Sequence, residues 1–203
     1  MLQRAAQLPF GEQLGSWRRA FTAQLGFDPL SRDGQLAAGL DPDRSAALVL
    51  LPGEERPGWI MALPLGRADA FGQTLDRLLR ERAGFLHRED ESRGKLRVAV
   101  YSREGQRDRV AFAVVRGYGV IAFGDDPAAA IAAAAARPKE ASLATDSRLA
   151  AARQRLGGQD LTMVAPAGSG LSRRLAMRPL PGDLDLGVTS TSGGVSGKLF
   201  FQM

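Results

Sequence analysis

The sequence predicts an α+β domain: a mainly antiparallel sheet, made of a hairpin plus a meander, packed against several helices. Three observations lead there. Glu12–Leu25 and Ala68–Ala83 repeat apolar residues at three- and four-residue spacing. Between Phe85 and Phe123, four short apolar or alternating segments follow one another across glycine-bearing turns. The element order is helices, paired strands, helix, meander, helices, strands, which is not the strict strand–helix alternation of a parallel sheet.

In the first helix Leu14, Trp17, Phe21 and Leu25 share one face, and Gly26 ends it because glycine tolerates the left-handed conformation at the carboxyl end. Pro29 prevents resumption, Ser31 caps a short helix containing Leu36 and Ala37, and Gly39-Leu40 stops that one in the same way. Ala46–Leu51 and Trp59–Leu65 read as a hairpin around Pro52-Gly53 and Pro57-Gly58. Ala68–Ala83 follows, with Phe71, Leu75, Leu78 and Leu79 on its apolar face and Gly84 closing it.

The meander is expected over Phe85–Arg88, Leu96–Ser102, Val110–Val115 and Val120–Phe123. Asp126 then caps a helix whose first position is Pro127 and which runs to Ala136. A further helix carries Leu149, Ala152 and Leu156, entered through Thr145-Asp146 and stopped by Gly157-Gly158. The rest reads as a strand Leu161–Ala165, a short helix Leu171–Met177, and a terminal hairpin of Leu184–Thr189 and Val195–Phe201. One domain spanning 1–203 is expected. The chain reads as one cut from a longer exported protein, since Lys198–Met203 looks like a strand in mid-course.

The composition excludes several chemistries. With no cysteine there are no disulfides, thiolate nucleophiles or iron–sulfur ligands, and the single histidine, His87, cannot build a multi-histidine metal site. The formal charge is +5, but nearly every basic residue is arginine, lysine occurs only at 95, 139 and 198, and asparagine is absent. That is the imprint of a GC-rich bacterial genome, so the charge by itself does not identify an anionic partner. The longest run of small apolar residues, Pro127–Ala136, is too short to cross a bilayer.

Each motif has a structural reading that outweighs its chemical one. Gly117-Tyr118-Gly119-Val120-Ile121-Ala122 fits a loose dinucleotide pattern, yet it precedes a strand where that chemistry needs a helix amino terminus. Ser192–Leu199 resembles a phosphate loop but lacks its first glycine and its magnesium-binding hydroxyl. His87-Arg88-Glu89-Asp90-Glu91 could in principle pair a base with a carboxylate; flanking arginines favour a solvated turn. Ser169 lacks both the nucleophile-elbow spacing and a base. Arg148, Arg153, Arg155, Arg173, Arg174 and Arg178 make a basic stretch without interleaved aromatics, so nucleic acid is disfavoured and solvated helix faces are expected. Asp28, Asp41 and Asp126, in three Gly-x-Asp-Pro signatures, lack the neighbouring acids of a calcium loop and read as backbone punctuation.

The two early signatures, Leu63-Pro64, Val120–Pro127 and Ser142–Asp146 with Leu149 together resemble a family of exported bacterial proteins of unknown function, often lipoproteins or envelope-anchored chains of α+β modules. The likeness covers Leu25–Leu156. It implies a periplasmic or envelope location, cytoplasmic otherwise, and no enzymatic activity; the leader and lipid-bearing cysteine of that family are missing from this sequence. The expected role is a scaffold or protein-interaction domain with a protein partner, no catalytic, cofactor-binding or metal residues, and no cofactor. The alternative is a carrier whose sheet and helices Ala68–Ala83 and Pro127–Ala136 enclose an apolar ligand such as lipid or peptide. An enzyme using Glu89, Asp90, Asp125 or Asp126 as acid–base groups comes last.

Overall fold

Alternation of apolar side chains along closely spaced strands sets the architecture. The computed structural model describes residues 11–29, 31–51, 58–138, 145–157, 161–165, 184–191 and 194–201. Two compact units are distinguished, one of Ser16–Ala136 and one of Arg137–Met203 with Met1–Gly15.

In the first, α1 (Gly11–Leu25), which belongs to it from Ser16 on, and α2 (Arg32–Ala37) precede the hairpin β1 (Ala47–Leu51) and β2 (Gly58–Pro64). Helix α3 (Ala68–Arg77) runs into a π-helical turn, Leu78–Arg82, and the meander follows as β3 (His87–Arg93), β4 (Leu96–Ser102), β5 (Arg109–Val115) and β6 (Tyr118–Gly124). Helix α4 is Pro127–Ala136. The six strands form one antiparallel sheet in the order β1-β2-β6-β5-β4-β3. The hairpin, the meander and the α+β class are therefore as the sequence predicts.

Period-two alternation gives the sheet two buried faces. On one, Phe71, Leu75 and Leu79 from α3 and its π turn pack with Phe85 on Ala99, Tyr101, Val110 and Ile121. Each large side chain so buried contributes roughly 1.5–3 kcal/mol. On the other, Ala128 and Ile131 of α4 lie on Val98, Val100, Ala111, Ala113, Val120 and Ala122. The alanines of strand and helix let the backbones approach closely, and Ile131 and Pro127 of α4 are wholly buried.

The local signals act as expected at several boundaries. Ser31 Oγ accepts the Gly34 amide at 2.9 Å, and Asp126 Oδ1 accepts the Ala129 amide at 3.1 Å. Arg116 and Gly117, both at positive φ, make a tight turn between β5 and β6, so the Gly117-Tyr118-Gly119 stretch serves a hairpin, as expected.

One expectation is corrected. The charged segment His87–Glu91 is no turn but most of β3, the outermost strand, paired along its length with β4. Its charges suit an edge, where they oppose pairing with another chain.

The second unit holds α5 (Ser147–Leu156) and a three-stranded antiparallel sheet of β7 (Leu161–Ala165), β8 (Leu184–Thr191) and β9 (Gly194–Phe201), in that order. Asp146 caps α5 through the amides of Arg148 and Leu149. The predicted helix Leu171–Met177 lies outside the described residues, as do Ser169, Arg173, Arg174, Arg178 and the Ser192-Gly193 turn.

Candidate functional site

The two edges of the six-stranded sheet differ in chemistry. Register places Arg88 opposite Tyr101, Tyr101 opposite Val110, Val110 opposite Phe123, Phe123 opposite Trp59 and Trp59 opposite Leu50. One cross-strand row thus runs from a guanidinium at the β3 edge to a leucine at the β1 edge. The adjacent row on the same face runs from Asp90 through Ala99, Phe112, Ile121 and Met61 to Leu48.

At the β3 end the charges satisfy one another. Tyr101, 1% exposed, donates to Asp76 Oδ1 at 3.1 Å, and Arg88 Nη1 reaches the same oxygen at 3.2 Å. Arg80, one turn along, approaches the other Asp76 oxygen at 3.4 Å, and Arg88 also binds Asp90. Burial pushes the Tyr101 phenol up to about 12; Arg88 opposes that shift and Asp76 adds to it. This network ties α3 to β3 and β4.

At the β1 end the side chains are bare. Leu48 is 61% exposed and Leu50 47%, both on the face where α3 lies further in. Next to them Trp59 and Phe123 stack across β2 and β6, ring centroids 5.9 Å apart and planes within 16°. Ser45–Leu51 carries no charge and no proline, the two devices that ordinarily blunt an edge. The apolar run Ala46–Leu51, bounded by Pro52-Gly53, announces β1 as a strand but not as an edge, because strand order comes from pairing partners far along the chain.

A cleft of about 220 Å³ is lined by Leu25, Gly26, Arg77, Leu78, Glu81 and Arg82, where the π turn meets the end of α1. π turns often accompany function. This one has a structural role, since Arg82 Nη1 donates to the Ala23 carbonyl, one of the groups left open at the end of α1.

The three Gly-x-Asp-Pro carboxylates have three different partners. Asp28 is ion-paired with Arg18. Asp41 Oδ1 accepts the Asp43 amide at 3.0 Å, and Asp126 caps α4. Among the described residues no group of three His, Cys, Asp or Glu side chains could hold a metal ion. Glu89, Asp90, Asp125 and Asp126 are all exposed. Of the basic stretch, Arg148 pairs with Asp146 and Arg155 with the buried Asp185, while Arg153 is exposed. The Arg148 guanidinium, and after it the Leu149 amide, hold the Asp146 carboxyl below its usual range.

Comparison with protein-family models, curated proteins and solved structures gives no match. No helix among the described residues is long and apolar enough to cross a membrane. Helices α3 and α4 lie on opposite faces of the sheet, so they cannot jointly wall one ligand cavity.

Proposed function

We propose that the protein is a non-enzymatic domain that works by protein–protein contact, and that its contact surface is the β1 edge with the Leu48–Leu50 pair beside Trp59. The observation that carries the reading is the contrast between edges: β3 carries charge at five of its seven positions and β1 carries none. An uncharged edge strand with exposed leucines offers both unpaired backbone groups and apolar area to an incoming strand. The motif resemblance supports an exported or envelope setting for this contact.

The test is photocrosslinking in the native host, with a photoreactive residue replacing Leu50 in one strain and Asp90 in another. Discrete protein adducts from position 50 and none from position 90 are expected. No adduct at 50, or the same adducts at both positions, would overturn the proposal. A reporter enzyme active only outside the cytoplasm, fused to the full-length gene product, tests the location.

A further inference from the structure

We infer that the partner of the β1 edge is the β1 edge of a second copy of this chain, paired antiparallel about Val49; this rests on the contact surface proposed above. An isologous junction requires a surface complementary to itself, and β1 meets that requirement. Antiparallel pairing centred on Val49 sets Leu48 of each copy opposite Leu50 of the other, and Ala47 opposite Leu51.

Leu48 and Leu50 share a face of the sheet, so the junction carries both apolar rows across it. One row becomes Leu48–Leu50–Trp59–Phe123, the first residue coming from the second copy, and the other becomes Leu50–Leu48–Met61–Ile121. Cross-strand apolar neighbours of this kind stabilise antiparallel sheets. No charge lies opposite a charge or a leucine anywhere in β1.

The other edge cannot pair with itself in the same way. Centred on Asp90, β3 would set Glu89 against Glu91 and Asp90 against Asp90, and like charges directly opposed are unfavourable. Pairing β1 with β3 would set leucines against carboxylates. Of these pairings between the two edges of the six-stranded sheet, β1 with β1 opposes no charge to a like charge or to a leucine, and it joins two six-stranded sheets into one continuous sheet. A five-residue junction is small beside standard interfaces, so association is weak and concentration-dependent.

The register supplies its own test. Sedimentation equilibrium of the full chain should show a weight-average mass rising toward twice that of the monomer. Leu48→Glu alone and Leu50→Lys alone should each weaken association at least about tenfold. Mixed together they should associate again, because residue 48 of one copy meets residue 50 of the other. The double variant carrying both changes should likewise dimerise. Both positions are exposed, and unchanged circular dichroism verifies that each variant folds.

A wild-type chain monomeric up to about 1 mM, single variants that dimerise like wild type, or a mixture no better than its components would each overturn self-pairing. If self-pairing fails while position 50 still crosslinks to a different protein in the host, the contact-surface reading stands. If both fail, that reading falls as well.

Discussion

The hydroxyl of Tyr101, on β4, donates to Asp76 Oδ1, on α3, at 3.1 Å, joining helix to sheet at the charged edge. Its ring is sealed within the core while its oxygen reaches the ion cluster of Arg80 and Arg88.

This link makes stability depend on alkaline pH. The phenol has its ordinary value, 10.0, in the unfolded chain and rises to about 12 in the fold, chiefly through burial. The folded state therefore favours the protonated form. The contribution, about 2–3 kcal/mol, is complete below pH 10 and is lost as pH rises through about 12. Urea midpoints measured below pH 10 and again near pH 12 should fall steeply for wild type, and less for Tyr101→Phe. At neutral pH that variant should lose only about 0.5–1.5 kcal/mol, the net worth of one hydrogen bond.

The two early Gly-x-Asp-Pro signatures should respond unequally to the same substitution. Gly26 has φ +75, and an added Cβ would meet only an Arg77 guanidinium nitrogen at 3.9 Å. Gly39 has φ +87, and its Cβ would lie 2.6 Å from both the Arg67 carbonyl oxygen and the Phe71 nitrogen. Gly26→Ala should cost about 1–2 kcal/mol from backbone conformation alone. Gly39→Ala should cost more than that, because backbone at the start of α3 must move. Thermal denaturation of the two variants side by side checks the ranking; equal losses would contradict it.

In the second unit, Arg155→Ala should be much worse than Arg153→Ala. Arg155 Nε donates to Asp185 Oδ2 at 3.1 Å, and Asp185 is 1% exposed. Removing the guanidinium leaves a buried carboxylate without its cation, at a cost of about 3–5 kcal/mol. Arg153 is exposed and its loss should be nearly neutral. Chemical denaturation followed by circular dichroism distinguishes the two outcomes. A further Asp185→Leu change should recover part of the Arg155→Ala loss.

Much of the architecture was legible because its causes are local. The apolar spacing of Phe71, Leu75 and Leu79, the alternation through β4 to β6, and the capping by Ser31, Asp126 and Asp146 are written in neighbouring residues. The π turn at Leu78–Arg82 was not legible. Its i+5 bond, Ala83 amide to Leu78 carbonyl at 3.1 Å, interrupts a segment whose apolar spacing continues as for an ordinary helix. Nor was the extent of β3: the first meander strand is expected at Phe85–Arg88, but the strand is His87–Arg93, whose charged residues have no apolar alternation and become a strand by pairing with β4.

The repeated Gly-x-Asp-Pro shows where sequence stops and tertiary structure takes over. By itself the sequence determined that the chain turns at Gly26 and Gly39, since glycine admits positive φ and the following proline forbids a continued helix. Only the fold made the copies different. Gly39's carbonyl accepts the amides of Gly66 and Arg67, and the Asp41 amide donates to the Pro64 carbonyl, clasping the junction of β2 and α3; Gly26 merely closes α1. The same division holds at β1, because an apolar run ending at Pro52-Gly53 specified a strand while long-range pairing alone left it at an edge with Leu48 and Leu50 uncovered.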